Sequence, residues 1–258
     1  MDQDSIKKIN FSISGWPGSG ATTLALILAN VFEREYIYIG SIYRFLGTKM
    51  GFSDKGINRP QFDEYIEEIV GKTIDQFSDF KLLNENNLIL DSDITAFRIG
   101  KHPKVFSIFL SPPLNTRKER MASKLEMEFL DERDKVLEKQ YKQLWGVEYF
   151  NTDTINQKHN LVFDNSNMGL ELELKEVYRN LKNWGPFTDL TLNDWEEIDK
   201  KTETIINDLN DNGKDSLIKS LKDKKLFPDP LALIYEITSI FPEEVSAFPD
   251  HLKKIFLP

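Results

Sequence analysis

The stretch Gly15-Trp16-Pro17-Gly18-Ser19-Gly20-Ala21-Thr22-Thr23 constrains this chain more than any other. Lys8 to Ser14, just before it, reads as a strand of alternating and then apolar residues. After it, Leu24, Ile27, Leu28, Val31 and Phe32 recur at helical spacing through Thr22 to Phe32. Strand, glycine-rich turn and helix in that order aim backbone N–H groups and a helix N-terminus at one point, where an anion is held. The stretch follows the phosphate-loop pattern of glycine, four residues, glycine, lysine, then serine or threonine. Gly15 and Gly20 keep its spacing and Thr22 keeps its metal-facing hydroxyl. Ala21 stands in the lysine position, so the charge that should lie near the outer phosphates is missing. For a single match, a glycine and serine turn that binds nothing is the competing reading.

The rest of the chain decides what surrounds this turn. Short apolar runs at Phe11–Ser14, Tyr36–Ile39, Leu88–Leu90, Val105–Leu110 and Leu161–Phe163 alternate with helical patterns. That alternation predicts a five-stranded parallel sheet with helices on both faces, a three-layer α/β/α fold. Ligands of such sheets bind beyond the carboxyl ends of the strands. Here those ends are polar: Ser14-Gly15, Gly40-Ser41, Asp91-Ser92-Asp93, Ser111 and Asp164-Asn165. Helices are expected at Glu171–Trp184, Thr191–Asn210, Lys214–Lys225 and Pro230–Ile240, with a mixed tail from Phe241. The chain is therefore read as a phosphate-loop domain over 1–184 and a helical extension over 185–258, with a protein partner for the extension left open.

Composition narrows the partners. A net charge of −9 argues against nucleic acid and anionic membrane surfaces. With no apolar leader and no bilayer-length run, a cytoplasmic protein is expected. The absence of cysteine excludes disulfides and thiolate metal sites. His102, His159 and His251 are far apart and are read as surface or loop residues.

Six motifs, in order, resemble the cytidylate kinase branch of the P-loop nucleoside monophosphate kinases, the archaeal type in particular, over about residues 8 to 180. They are the loop itself; Gly40-Ser41-Ile42-Tyr43-Arg44 after the second strand; Met50-Gly51-Phe52 followed by Phe62 to Tyr65; Arg117-Lys118-Glu119-Arg120; Tyr141-Lys142-Gln143-Leu144-Trp145-Gly146-Val147; and Leu161 to Ser166. The archaeal-type loop often carries threonine in place of the lysine, a partial precedent for Ala21. Two departures stand out. The family's third strand ends in Glu-Gly-Arg, whereas Asp91-Ser92-Asp93 reverses that charge, and Gln140 replaces an arginine.

The resemblance implies a P-loop NTPase fold with a C-terminal helical extension. It also implies transfer of the γ-phosphoryl group of ATP, with Mg²⁺, to CMP or dCMP. Gly15, Gly18, Ser19, Gly20, Ala21, Thr22 and Thr23 would cradle the donor phosphates, and Thr22 and Asp91 would hold the metal. Arg117, Arg120 and Arg133, with Lys124, would supply positive charge to the transferred group. Gly40, Ser41 and Arg44 would receive the acceptor, with Asp91 beside them and Arg98 as a substitute for the missing arginine. Ordinary alternatives stay open: a solvated helix of intrahelical ion pairs for Arg117 to Arg120, a cap for Asp91, and simple packing for Trp16. So does a second function, a catalytically impaired relative that holds nucleotide while its C-terminal helices bind a partner.

Overall fold

Apolar runs of three to six residues become strands buried on both faces, because side chains alternate between the two sides of a sheet. The structure, a computed structural model, describes residues 6–51, 68–121 and 130–257. Along the chain it runs β1 (Asn10–Gly15), α1 (Ala21–Phe32), β2 (Glu35–Tyr38), α2 (Ile39–Lys49), α3 (Glu68–Asn84), β3 (Leu88–Asp91), α4 (Thr95–Ile99) and β4 (Val105–Leu110). Next come α5 (Leu114–Arg120), α6 (Leu130–Trp145), α7 (Thr152–Lys158), β5 (Leu161–Phe163) and α8 (Leu170–Leu181). A 3₁₀ turn (Gly185–Asp189) leads into α9 (Leu192–Asn212), α10 (Lys214–Asp223), α11 (Pro230–Ile240), α12 (Pro242–Ser246) and α13 (Asp250–Phe256).

The strands form one parallel sheet in the order β2-β3-β1-β4-β5. This is the expected three-layer α/β/α fold. Ile13 pairs with Asp91 and Tyr38 pairs with Asp91 from the other side, so the carboxyl ends of β1, β3 and β2 converge. Strand β2 stops one residue earlier than its apolar run. Ile39 is already helical, and Ser41 Oγ donates to Tyr38 O at 2.6 Å across the first turn of α2.

Phe11, Ile13 and Ile89 point to one face and pack with α1, α8, α9 and α10. Ile37, Leu88 and Leu90 point to the other and pack with α2, α3 and the helices from Pro230 onward. Residue 184 therefore marks a change of chain pattern, while the two cores run straight across it. Trp195, Ile206, Leu217 and Leu221 belong to the first core, and Leu233, Ile237, Phe248 and Phe256 to the second. The apolar faces of the C-terminal helices, where a protein partner was left open, are turned onto the chain's own sheet. The mixed tail resolves into the two short helices α12 and α13. Asn10 is buried at the start of β1, donates to Leu82 O and Glu85 O at 2.8 and 2.7 Å, and accepts from Leu88 N at 3.1 Å. It thereby ties the end of α3 to the sheet. No helix among the described residues is long and apolar enough to cross a membrane.

Candidate functional site

The turn after β1 closes tightly. Ser19 N donates to Trp16 O at 2.8 Å, and a side chain at Gly15 would meet Ser19 Oγ at 2.4 Å and Leu110 O at 2.8 Å. Gly20, at φ 98°, occupies the left-handed region that favours glycine and leaves the N-terminus of α1 without a side-chain cap. The loop is braced from beneath. Tyr149 OH donates to Gly15 O at 3.0 Å, and Trp16 stacks on Phe150 at 5.5 Å with its edge toward Phe109. Trp16 thus packs.

Above the loop lies a cleft of about 570 Å³. Gly15, Gly18, Ser19, Gly20, Ala21, Thr22 and Thr23 line one end of it, and Gly40, Arg44 and Asp91 line it as well. Among the described residues, four cationic side chains face it (Arg44, Arg120, Arg133, Lys214) against four carboxyls (Asp75, Asp91, Asp93, Glu173). Ser41 is absent from the lining and acts on the backbone of α2 instead.

Two expected phosphate ligands lie elsewhere. Arg117 is 3% exposed; Nη1 and Nη2 grip Asp134 at 3.1 and 2.7 Å, and Nη1 also donates to Pro17 O at 3.1 Å. Its charge is matched by the carboxylate, and it holds the underside of the loop rather than the cleft. Arg98 pairs with Asp79 at 2.7 Å and lies over the Trp145 ring at 3.5 Å. The solvated-helix alternative is also replaced: Lys118 pairs with Asp131 on the next helix, at 2.6 Å. Lys124, Phe52 and Phe62 to Tyr65 fall outside the described residues.

Arg120 reaches the cleft. Its Nη1 donates to Ser19 O at 2.6 Å and Asn165 Oδ1 at 3.1 Å, and Nη2 to Asn165 O at 2.8 Å. Asn165 Nδ2 in turn donates to Ser19 O and to Glu173 Oε2, at 3.0 and 2.8 Å. Loop, β5 turn and α8 are thus joined by one polar network. On α6, Arg133 keeps its Nε buried without a partner.

Asp91 is buried at the end of β3, accepts from Tyr36 OH at 2.8 Å and bonds the Thr22 hydroxyl. Burial pushes its carboxyl up to about 7 against the opposing pull of those two bonds. A hydroxyl and a buried carboxyl side by side are hard oxygen donors, few in number, which suits Mg²⁺. Asp75, which sequence reading missed, is lifted to about 7 as well, by burial, while Trp145 Nε1 donates to it at 2.8 Å. Trp145 is itself covered by Arg98, which Asp79 holds in place. No motif marks Asp75, because it sits mid-helix and meets the cleft only through the packing of α3 on the sheet. Asn165 and Lys214 were missed for the same kind of reason, though Asn165 lies at a polar strand end.

His159 is not on the surface. It is 1% exposed; Nδ1 bonds Ile155 O at 2.9 Å and Nε2 bonds Ser14 Oγ at 3.1 Å. Burial lowers its value from 6.5 to about 4, against the bond to Ile155. The folded state therefore refuses a proton that the unfolded chain accepts. Stability is lost as pH falls from about 6.5 to 4, by on the order of 3 kcal/mol. Asp75 and Asp91 act with the opposite sign, since raised carboxyls favour folding as pH falls below 7. Urea unfolding of the parent and of His159→Gln at pH 7 and 4.5 separates them. The variant is expected to lose less stability, or gain more, on acidification than the parent.

No family model matches this chain. The cytidylate kinase of Saccharolobus islandicus (strain L.S.2.15 / Lassen #1) is 28% identical over 189 residues, 70% of this chain and 97% of that protein. The cytidylate kinase of Methanocaldococcus jannaschii is 24% identical over 171 residues, 62% of this chain and 90% of that protein. A crystal structure of shikimate kinase from Bacteroides thetaiotaomicron superposes with a TM-score of 0.42 at 14% identity, over 70% of this chain and 99% of that one. The sequence likenesses support a relationship to the P-loop kinases.

Proposed function

We propose that this chain transfers the γ-phosphoryl group of ATP to CMP or dCMP. The observation that carries the reading is the union, in one cleft, of the phosphate loop with Arg44, Arg120 and Arg133. An oxygen of the acceptor phosphate attacks the γ-phosphorus in line while the bond to the β,γ-bridging oxygen breaks; ADP and a nucleoside diphosphate result. Positive charge around the equatorial oxygens supplies most of the catalysis in such a step, and the buried, partnerless Nε of Arg133 suits that task. Thr22 and Asp91 would hold Mg²⁺, which would supply charge neutralisation to the donor phosphates.

The carboxyls bear on the base. Asp75, in the wall of the cleft, accepts hydrogen bonds, and cytosine offers an exocyclic amine where uracil presents a carbonyl oxygen. Ionised Asp75 therefore favours cytosine. A second reading, a nucleotide holder with slow or no turnover, is favoured by Ala21 and by Asp93, which opposes an incoming phosphate.

The test is ³¹P NMR of the protein with MgATP and equimolar CMP, dCMP, UMP and AMP, at pH 8 so that Asp75 is ionised. ADP together with CDP or dCDP is the expected outcome. Unchanged resonances at high protein concentration would sink the kinase reading for these acceptors, and UDP as main product would sink the role given to Asp75.

A further inference from the structure

The loop lacks a cation at Ala21, and the cation that Arg120 brings to that end is already engaged. Both terminal nitrogens of Arg120 donate to protein acceptors, Ser19 O and Asn165. Arg44 lies with its guanidinium 5.1 Å from the Tyr38 ring, on the wall formed by β2 and α2. A bound nucleoside triphosphate carries three to four negative charges, so the donor end is short of positive charge.

A further lysine meets the same cleft from an unexpected direction. Lys214, the first residue of α10, lines it together with Ala21 and Thr23. Helix α10 lies on α1, tied by Asn30 Nδ2 to Leu217 O at 3.3 Å, and its far end is fastened by the Lys224–Glu33 pair at 3.0 Å. Glu33 caps the carboxyl end of α1 and Lys224 that of α10. Ten residues of helix span about 15 Å. The opposite end of α10, where Lys214 stands, therefore points back toward the amino end of α1, where the phosphate loop ends. Gly213, at φ 76°, turns the chain into α10 at this point. Leu217 and Leu221, buried beneath, hold the helix on the core.

We infer that Lys214 contacts the phosphates of the bound nucleoside triphosphate and restores from the C-terminal helices the positive charge that the loop lacks at Ala21. This rests on the phosphate-loop reading of the cleft. The lysine is a mobile point charge on a long stem and can follow a polyphosphate without a fixed fork geometry. It places a residue of the extension in the nucleotide site, so the extension serves binding as well as packing.

Titration calorimetry with MgATP tests it on the whole chain. Lys214→Ala is expected to weaken MgATP binding about tenfold and to flatten its salt dependence, since one charge-assisted contact is lost. Lys214→Arg should bind within about threefold of the parent, because the charge is kept. Affinity that follows the charge at position 214, and not the nucleotide-free melting temperature, across the three proteins is the result that a purely structural role would not give. Adding Ala21→Lys to Lys214→Ala should recover most of the affinity. Equal MgATP binding by parent and Lys214→Ala overturns the inference while the phosphate loop stands. If the parent binds no MgATP or MgADP, the loop reading itself fails and takes Lys214 with it.

Discussion

Replacing Arg120 by alanine should lower the rate of phosphoryl transfer by a thousandfold or more, the effect of removing an arginine that stabilises the transferred group. Two losses combine in this variant. One is charge beside the loop. The other is geometric, because Arg120 joins Ser19 O to Asn165 and so holds the loop against the turn after β5. Arg120→Lys separates them: it keeps the charge, loses the fork, and should recover only part of the rate. The readout is initial velocity with saturating MgATP and CMP, beside circular dichroism to show that the fold persists. Parent-like velocity in Arg120→Ala would remove it from the catalytic set. Arg117→Ala should behave differently. It leaves Asp134 unpaired beneath the loop and should lower stability together with activity.

Arg44→Ala should raise the KM for the acceptor about a hundredfold with little change in the KM for ATP. A charge-assisted contact to phosphate is worth up to about 3 kcal/mol, and in the proposed reading only the acceptor brings a phosphate to that wall. Steady-state kinetics with each substrate varied in turn provide the check. Equal changes in both constants would show that Arg44 orders the cleft as a whole and does not bind the acceptor. Asp93→Asn should act in the opposite sense and lower the acceptor KM, as it removes a negative charge from the path of the incoming phosphate.

The fold was readable because it rests on local patterns. Apolar runs bounded by polar strand ends gave all five strands to within a residue or two, and the glycines of the loop demanded a tight turn between β1 and α1. What the sequence hid depends on distance along the chain. Arg117 and Arg98 look like phosphate ligands until Asp134 and Asp79 are found beside them, and neither carboxylate is a helical neighbour of its arginine. Asp75 looks like a surface residue of a helix until Trp145, seventy residues on, donates to it. His159 has no apolar stripe of its own, and its burial follows from the aromatic cluster of Phe97 and Phe109 closing over it. The helices of the extension are amphipathic. That pattern does not say whether the apolar face meets a partner or the chain's own sheet.

The way the last helices close the second core has a bearing on synthesis. Leu88 and Leu90, on a strand next to the centre of the sheet, share their cluster with Leu233, Phe248 and Phe256. While the chain is being made, β3 emerges long before the residues that cover it. The part of this sheet face that α2 and α3 do not cover must wait, apolar and open to water, until α11 to α13 have left the ribosome. Domains that can complete themselves early escape this exposure, whereas a core sealed by segments made much later invites chaperone binding or aggregation in the interval. A chain halted before Pro230 would accordingly be held by the cell's folding machinery instead of released as a working nucleotide domain.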